Sequence, residues 1–303
     1  MKPQSVPVAP HICALLTSFN RCESTLDCLA KLEASAAQAG VHLQAVLADD
    51  ASTDGTPQRV AERFAWVTVL HGNGSMFWNR GMRMAMQHAM AETQASVLLW
   101  LNDDTLLLPD AFARLLAAAA SIRQRHGRDG IVVGATCDRH TQQLTYGGNV
   151  AASRWRPLTF RKVHSAVEPT ACQTMNGNVV LIPMAVAHDV GLLDPVFEHA
   201  MGDLDYGLRA TQRGHPIYVA PGFVGHCSNN PQAGSHRDVA LSLRQRWRKI
   251  THRKELPPRS WLQLTRRHGG PLWPLYFAWP YVRVLLSGLL ASFRGHRASG
   301  HHG

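Results

Sequence analysis

The sequence lacks the cysteine pattern of a disulfide-stabilised or zinc-binding protein. Its six cysteines are scattered over 303 residues, and no two of them form a CxxC pair. Such spacing is typical of reduced thiols in a cytosolic protein. The N-terminal tail, residues 1–10, also lacks an apolar signal core, and no internal repeat is evident. We therefore expect the functional part of the chain to stay on the cytosolic side.

Acidic residues are scarce in the last quarter of the chain. Residues 237–303 contain 13 lysines and arginines but only two acidic residues, Asp238 and Glu255. The preceding residues carry 18 basic and 19 acidic side chains, so the net charge of +10 belongs to this segment. Basic partner-binding character is therefore expected of the tail alone.

Apolar runs alternate with helical patterns through the first half of the chain. Strands are predicted near 12–19, 43–48, 66–70, 96–101 and 131–136, with helices near 57–64, 82–92 and 109–126. This alternation predicts an α/β fold with a mostly parallel, doubly wound sheet and flanking helices over residues 11–230. In such a sheet, ligands bind at the carboxyl ends of the strands.

Adjacent carboxylates follow two of these predicted strands. Asp103 and Asp104 come after the run 96–101, and Asp49 and Asp50 end the second strand. Carboxylates placed in this way can hold a hard divalent cation whose remaining ligands are substrate phosphates. A solvated Asx turn is the alternative, and these residues alone leave both interpretations open.

Three later features carry weaker signals when each is taken alone. The loop 73–81 contains glycines that favour a close backbone approach, but a plain connection explains it equally well. Asp203 is predicted at a helix N-terminus, where the macrodipole favours its ionised form. His226 follows the last predicted strand, and a lone histidine is more often structural than a ligand.

The order of these motifs resembles the inverting glycosyltransferases of family 2, which have the GT-A nucleotide-sugar-binding fold. The resemblance covers residues 11–230. The stretch 17–21 resembles the family's Thr-x-Asn-Arg turn, and 49–56 resembles its Asp-Asp-x-Ser-x-Asp-Gly-Thr segment. Both segments cradle the nucleotide in that family. The resemblance implies a set of nucleotide-sugar contacts: Thr17, Asn20, Arg21, Asp49, Asp50, Gly81 and Asp103.

The family's Asp-x-Asp metal motif is matched by the stretch 102–104, with Asn102 in its first position. The resemblance implies Mg²⁺ or Mn²⁺ as the cofactor, held by Asp104 and His226. Asn102 offers a neutral carbonyl oxygen where the family has a carboxylate.

The family's late Glu-Asp-x-Asp-Leu motif appears here at residues 202–206 with its glutamate replaced by Gly202. The resemblance implies that Asp203 is the catalytic base and that Asp205 binds the acceptor. The loop 73–81 is similar to the Asn-x-x-x-Trp-Trp-x-Gly-Gly loop of rhamnosyltransferase-like and galactofuranosyltransferase-like members. This likeness implies that Trp78 stacks on an acceptor sugar.

The activity implied by the resemblance is metal-dependent, inverting transfer of a hexosyl or deoxyhexosyl group. The donor would be a nucleoside-diphosphate sugar, and the acceptor a hydroxyl of a glycan or lipid-linked molecule in assembly of bacterial surface polysaccharide such as lipopolysaccharide. An inactive nucleotide-sugar-binding or scaffolding protein is one alternative. A sugar nucleotidyltransferase is less favoured, because residues 17–21 contain no glycine. A glycosidase using Asp203 and Asp205 is disfavoured, since positions i and i+2 of a helix face different sides.

Residues 231–303 are predicted to form a basic, amphipathic helical extension. Leu272 to Phe293 has the length of a membrane span, but Pro274, Pro280 and Arg283 interrupt it. Aromatic residues beside arginines suit the headgroup layer, so in-plane attachment through residues 237–297 to the cytoplasmic face of the inner membrane is expected. A helical subdomain packed on the catalytic domain is the alternative, and nucleic-acid binding is the least favoured.

Overall fold

The computed structural model of the protein describes residues 10–228, 238 and 241–299, with side chains up to residue 287. The predicted N-terminal tail lies almost wholly outside the described residues. The first part of the predicted C-terminal extension, residues 231–237, also lies outside them.

Four parallel strands form the first half of the central sheet. They are β1 (His11–Ser18), β2 (His42–Asp49), β3 (Val67–His71) and β4 (Val97–Leu101), connected by helices α1 (Cys22–Ala39), α2 (Thr56–Arg63) and α3 (Phe77–Glu92). Their order is β3-β2-β1-β4, and every neighbouring pair is parallel. Helices cover both faces, which is why β1 is apolar and buried from Ile12 to Leu16 without alternation.

The second half of the sheet is mixed, whereas the alternation predicts mostly parallel pairing. Its elements are β5 (Leu106–Leu107), α4 (Ala111–His126), β6 (Ile131–Cys137), β7 (Leu144–Tyr146), β10 (Thr170–Ala171), β12 (Val179–Pro183), α5 (Met184–Val190), α6 (Gly202–Gln212) and β13 (Ile217–His226). Strand β12 lies between β4 and β6 and is antiparallel to both. The chain enters β12 from the carboxyl edge, without the helical crossover that parallel pairing requires.

A small second sheet lies between β7 and β12 along the chain. It contains β8 (Gly148–Ser153), β9 (Arg156–Val163) and β11 (Thr174–Met175) in the order β11-β8-β9. This segment interrupts the strand–helix alternation of the first half of the chain. Trp155, at the turn between β8 and β9, is 67 % exposed.

Apolar side chains fill two layers, one on each face of the central sheet. On one face Leu16 and Leu99 pack with residues of α1 and α4. On the other face Leu15 and Trp100 pack with Met82 and other residues of α3. The prediction of an α/β fold with flanking helices is confirmed.

The C-terminal part forms three helices, α7 (Leu243–Ile250), α8 (Pro258–His268) and α9 (Trp273–Ser299). A third apolar cluster joins α7, α8 and α9 to the segment that precedes α6. Its buried members are Phe197, Met201, Ile250, Trp261, Leu264, Tyr281 and Val284. The extension therefore packs on the α/β part. Within residues 10–228, 238 and 241–299, no helix has both the length and the apolar character needed to cross a membrane.

Candidate active site

The predicted site residues meet at one edge of the central sheet. Strands β1, β2 and β4 are parallel neighbours, so Ser18, Asp49 and Leu101 end at the same side. The antiparallel strand β12 begins at this side, where the backbone N–H of Asn102 donates to the carbonyl of Asn178 over 3.0 Å. The fold thus brings the carboxylate segments of two separate loops together.

A guanidinium group bridges the two central carboxylates. Arg21, at the start of α1, lies 3.1 Å from Oδ1 of Asp103 and 2.8 Å from Oδ2 of Asp104. Asp103 is buried, whereas the side chains of Arg21 and Asp104 are 45 % and 34 % exposed. Burial raises the pKa of Asp103 to about 6, and the positive charge of Arg21 opposes this shift. Arg21, predicted to contact the nucleotide sugar, therefore also offsets part of the negative charge of the aspartate pair.

Asp103 and Asp104 have the donor set that fits a hard divalent cation. Within the described residues, Oδ2 of Asp103 is buried and has no hydrogen-bond partner, and Asp104 adjoins it at the surface. Two carboxylates with substrate phosphates suit Mg²⁺ or Mn²⁺. No group of three or more His, Cys, Asp or Glu side chains with metal-binding geometry occurs in the part of the chain that the structure describes.

Cys227, rather than His226, reaches Asp104. The thiol of Cys227 donates to Oδ1 of Asp104 over 3.5 Å, while Nδ1 of His226 lies 3.4 Å from the sulfur of Cys137. Burial, together with the charge of Asp104, raises the pKa of Cys227 to about 12, so this thiol stays protonated. Nδ1 of His226 is thus directed to Cys137, and the expected role of His226 as a metal ligand stays a prediction.

Asp49 keeps an oxygen available for a ligand. Its Oδ2 accepts from the backbone N–H of Ser52 over 2.9 Å, whereas its buried Oδ1 is without a partner among the described residues. Thr17, one strand away, is partly buried at the same edge. Asn20 accepts from the backbone N–H of Thr53 over 2.8 Å, which ties the loops after β1 and β2 together. Asp49 and Thr17 suit the predicted nucleotide contact, and Asn20 supports it structurally.

Asp50 holds the loop 73–81 through three hydrogen bonds. Its Oδ1 accepts from the backbone N–H of Gly74, and its Oδ2 accepts from those of Met76 and Phe77, at 2.8 to 3.0 Å. These contacts satisfy backbone donors at the start of α3, as an N-terminal cap does. Asp50 thus positions this loop, and its expected nucleotide contact stays a prediction.

Gly81 has a packing role. It is buried inside α3, where a Cβ atom would lie 2.7 Å from Cγ2 of Thr17. The glycine lets α3 approach β1 closely, and its expected contact with the nucleotide sugar stays a prediction.

Trp78 connects the carboxylate motif to the candidate base. Its indole N–H donates to Oδ1 of Asn102 over 2.8 Å, and its ring meets Trp100 edge-on at 6.0 Å between centroids. Gly177 packs against the ring so closely that a Cβ atom at this position would lie 2.4 Å from the indole. The amide oxygen of Asn102 thus fixes the orientation of the Trp78 indole.

Asp203 lies at the start of α6, beside Gly177. Its Oδ2 accepts from the backbone N–H of Gly177 over 2.9 Å, and its Oδ1 from that of Leu204 over 2.8 Å. Burial raises the pKa of Asp203, while these two N–H groups act in the opposite direction. A carboxylate whose pKa is raised and whose position is fixed by backbone contacts is suited to accept a proton.

Asp205 has surroundings that conflict with its expected contact with an acceptor. It is fully buried, with Oδ1 2.6 Å from Arg267 and 2.9 Å from His268, and Oδ2 2.9 Å from Arg209. Burial raises the pKa of Asp205, but His268, Arg209 and Arg267 together hold it below its ordinary value. Asp205 therefore joins α6 to α8, and both of its oxygens are bound to basic side chains.

Asn79 occupies the space of the glutamate that the late motif has lost. A Cβ at Gly202 would lie 1.7 Å from Oδ1 of Asn79. The amide nitrogen of Asn79 donates to the carbonyls of Asp194 and Phe197 at 2.8 and 2.7 Å. The buried amide thus holds the segment before α6 in place and leaves room only for glycine at position 202.

Sequence reasoning missed the contribution of the C-terminal helices to this region. Arg267 and His268 reach Asp205, and Arg253 stacks on Phe77 with its guanidinium carbon 3.9 Å from the ring centroid. These contacts join residues roughly 60 to 180 positions apart, so the sequence signal was limited to the excess of basic residues.

Comparisons with known proteins agree with this geometry. A model of glycosyl transferase family 2 matches residues 13–164, and the chain belongs to that family. No curated protein shows significant similarity in sequence. The expected family is confirmed, whereas its rhamnosyltransferase-like or galactofuranosyltransferase-like subtype stays a prediction.

Solved structures share the fold at low sequence identity. A mannosyltransferase from Pyrobaculum calidifontis, in complex with GDP-Man and Mn²⁺, is 16 % identical, with a TM-score of 0.56 over 98 % of this chain and 77 % of that one. Residues 1–349 of TarS from S. aureus are 12 % identical, with a TM-score of 0.51 over 84 % of this chain and 69 % of that one. GalNAc-T7 with UDP, GalNAc and Mn²⁺ is 15 % identical, with a TM-score of 0.56 over 79 % of this chain and 47 % of that one. The fold is therefore GT-A, and the protein is a glycosyltransferase.

Proposed function

We propose that the protein transfers a sugar, with inversion at C1, from a nucleoside-diphosphate sugar to an acceptor hydroxyl. The observation that carries this proposal is the link from Asn102, two residues before Asp104, through Trp78 and Gly177 to Asp203. It joins a carboxylate pair suited to the donor side with a carboxylate suited to remove a proton. The GDP-Man and UDP ligands of the structural neighbours support a nucleotide-sugar donor.

The donor would bind along the edge formed by Thr17, Asp49 and Asp103. The free oxygens of Asp49 and Asp103 accept hydrogen bonds from base or ribose. Asp103 and Asp104 would hold Mg²⁺ or Mn²⁺, which supplies positive charge for the departing diphosphate when bound. Arg21 limits the negative charge of this carboxylate pair. The Mn²⁺ in two neighbour structures supports metal use.

Asp203 would act as the general base on the acceptor side. An acceptor hydroxyl is a poor nucleophile near neutral pH, so a fixed carboxylate has to take its proton as it attacks C1. Attack from the face opposite to the leaving group gives inversion in a single displacement. Trp78 presents an aromatic surface between the two carboxylate groups, which suits stacking on a sugar.

The test measures nucleoside diphosphate released from a panel of nucleotide sugars, with Mg²⁺ or Mn²⁺ and then with EDTA. We expect metal-dependent release from one donor, lost in Asp104→Ala and in Asp203→Asn. Asp129→Asn is the matched control, because its carboxylate pairs with Arg123 at the surface. Asp203→Asn should still bind the donor.

Two results would contradict the proposal. Full release by Asp203→Asn would remove this residue from the chemistry. Thermal stabilisation by a donor without any release, under every acceptor and metal condition tried, would favour the inactive nucleotide-sugar-binding protein instead.

The proposed acceptor is a glycan or lipid-linked molecule of bacterial surface polysaccharide, such as lipopolysaccharide, and the proposed sugar is a hexose or deoxyhexose. These finer assignments rest on the resemblance of the loop 73–81 and on the C-terminal helices. Helix α9 presents apolar residues spaced by four, three and four positions, namely Leu275, Trp279, Val282 and Leu286, which are between 39 % and 65 % exposed. Such a stripe suits in-plane attachment to a membrane surface at the cytoplasmic face.

Co-sedimentation with phosphatidylglycerol vesicles tests this attachment. We expect Leu275→Ser/Trp279→Ser to lower the pelleted fraction several-fold, because it removes two exposed apolar anchors. Val167→Ser is the control, since Val167 is 87 % exposed on another part of the surface. Equal pelleting of all three proteins would refute attachment through α9.

A further inference from the structure

Three consecutive basic residues form the turn between α7 and α8. They are His252, Arg253 and Lys254, and Arg253 stacks on Phe77 at 3.9 Å from the ring centroid. Within the described residues, neither Arg253 nor Lys254 forms an ion pair with a carboxylate. Cations collected in this way repel each other, so an anion bound between them would stabilise the arrangement.

A surface pocket of about 330 Å³ continues from this turn. It is lined by Gln245, Arg248, Lys249 and His252. The arginine, lysine and glutamine side chains all carry hydrogen-bond donors, and none of the four is an acid. His252 belongs to both the turn and the pocket, so the two features form one basic surface. We call these residues, 245, 248, 249 and 252–254, the basic pocket.

The basic pocket borders the acceptor side of the candidate site. Phe77, under Arg253, directly precedes Trp78. His199 lies four residues before Asp203, and its pKa is lowered to about 4 by burial and by the nearby charges of Lys254, Arg253 and His252. Two acids are near in the chain: Glu198 lies 3.5 Å from Arg80, and Glu255 directly follows Lys254.

We propose that the basic pocket binds a phosphate group carried by the acceptor. This inference rests on the proposed glycosyl transfer. The ring of Phe77 covers one face of the Arg253 guanidinium and leaves its N–H edge for the paired contacts that phosphate accepts. Lys254 and Lys249 add charge without a fixed direction. The donor diphosphate belongs instead to the edge with Asp103 and Asp104, where Arg21 is the nearby cation.

Calorimetric titration with phenyl phosphate tests the basic pocket directly. The full chain is kept in Mg²⁺ and an excess of UDP or GDP, so that the donor site is filled. We expect Arg253→Gln/Lys254→Gln to bind phenyl phosphate about tenfold more weakly than the parent protein, because two charged contacts are lost. The control is Lys31→Gln/Arg63→Gln, which removes the same amount of positive charge. It also removes an arginine that covers an aromatic ring, because the guanidinium carbon of Arg63 lies 5.3 Å from the ring centroid of Phe64.

The outcomes separate the possible sources of the phosphate. Equal affinity in the two double variants would overturn the proposal. Binding that disappears when UDP or GDP is added would assign the phosphate to the donor, and would overturn it as well. Arg253→Gln/Lys254→Gln could also lose binding to phosphatidylglycerol vesicles while its affinity for phenyl phosphate is unchanged. That result would assign the pocket to a membrane headgroup instead.

Release of nucleoside diphosphate is measured separately in the parent protein. If no nucleoside diphosphate is released but phenyl phosphate binding depends on Arg253, the proposed transfer is rejected and the phosphate site stands. Release with no difference in phenyl phosphate binding between the double variants would support the transfer and reject the phosphate site. The two ideas therefore fail independently.

Discussion

The indole N–H of Trp78 donates to Oδ1 of Asn102 over 2.8 Å, so the residue that departs from the metal motif fixes an aromatic side chain. Gly177, under that ring, donates its backbone N–H to Asp203. One hydrogen bond thus links the two halves of the candidate site. This relationship gives Asn102 a structural role that the motif alone does not suggest.

Trp78→Phe should lower release of nucleoside diphosphate by about tenfold or more, because small displacements of positioning groups have large effects on rate. The ring remains, but Oδ1 of Asn102 loses its donor. Trp66→Phe is the matched control, since its indole donates to Glu33 over 2.8 Å far from the site. Steady-state kinetics of both variants check this prediction, and equal rates would argue against a role for the hydrogen bond.

The pH profile should show an acid limb above the ordinary pKa of an aspartate. Asp203 is active when deprotonated, and burial raises its pKa, so activity is lost as the pH falls through that raised value. Asp203→Asn, which removes the titrating carboxylate, should show no rise of activity through this pH range. Profiles at two metal concentrations separate Asp203 from Asp103, whose pKa is also raised. A limb at the ordinary aspartate value would contradict the assignment.

Asp205→Asn should destabilise the fold by about 3–5 kcal/mol, because it leaves Arg209 and Arg267 partly buried without their shared carboxylate. Urea denaturation measures this change. Asp189→Asn, which weakens an exposed contact with His215, should cost less than about 1 kcal/mol. A direct acceptor contact would instead raise the KM for acceptor and leave the unfolding free energy unchanged.

Gly202→Ala should cost about 1–3 kcal/mol, because its methyl group would overlap the side chain of Asn79. Asn79→Ala removes that overlap, although it also loses two hydrogen bonds. A double-mutant cycle in urea should therefore give a double variant that is less destabilised than the sum, by about 1 kcal/mol. Additive effects would mean that Asn79 does not replace the lost glutamate.

The local sequence determined the parallel half of the sheet and the residues at its edge. Alternating apolar runs and helical patterns predict β1 to β4, and the position of Asp49, Asp103 and Asp104 after strands predicts where they meet. These predictions are possible because short βαβ connections make neighbouring strands parallel, so that their carboxyl ends lie at one edge of the sheet. The motif order likewise predicts the family that the comparison confirms.

Only the tertiary structure decided which side chains face the site. Irregular pairing of β13 with β6 between Val219 and Gly225 changes the alternation of the strand, so Cys227 reaches Asp104 and His226 turns away. The buried oxygens of Asp50 and Asp205 are committed to partners far along the chain. Such contacts depend on which helices pack together, and this packing involves long-range interactions that no local pattern encodes.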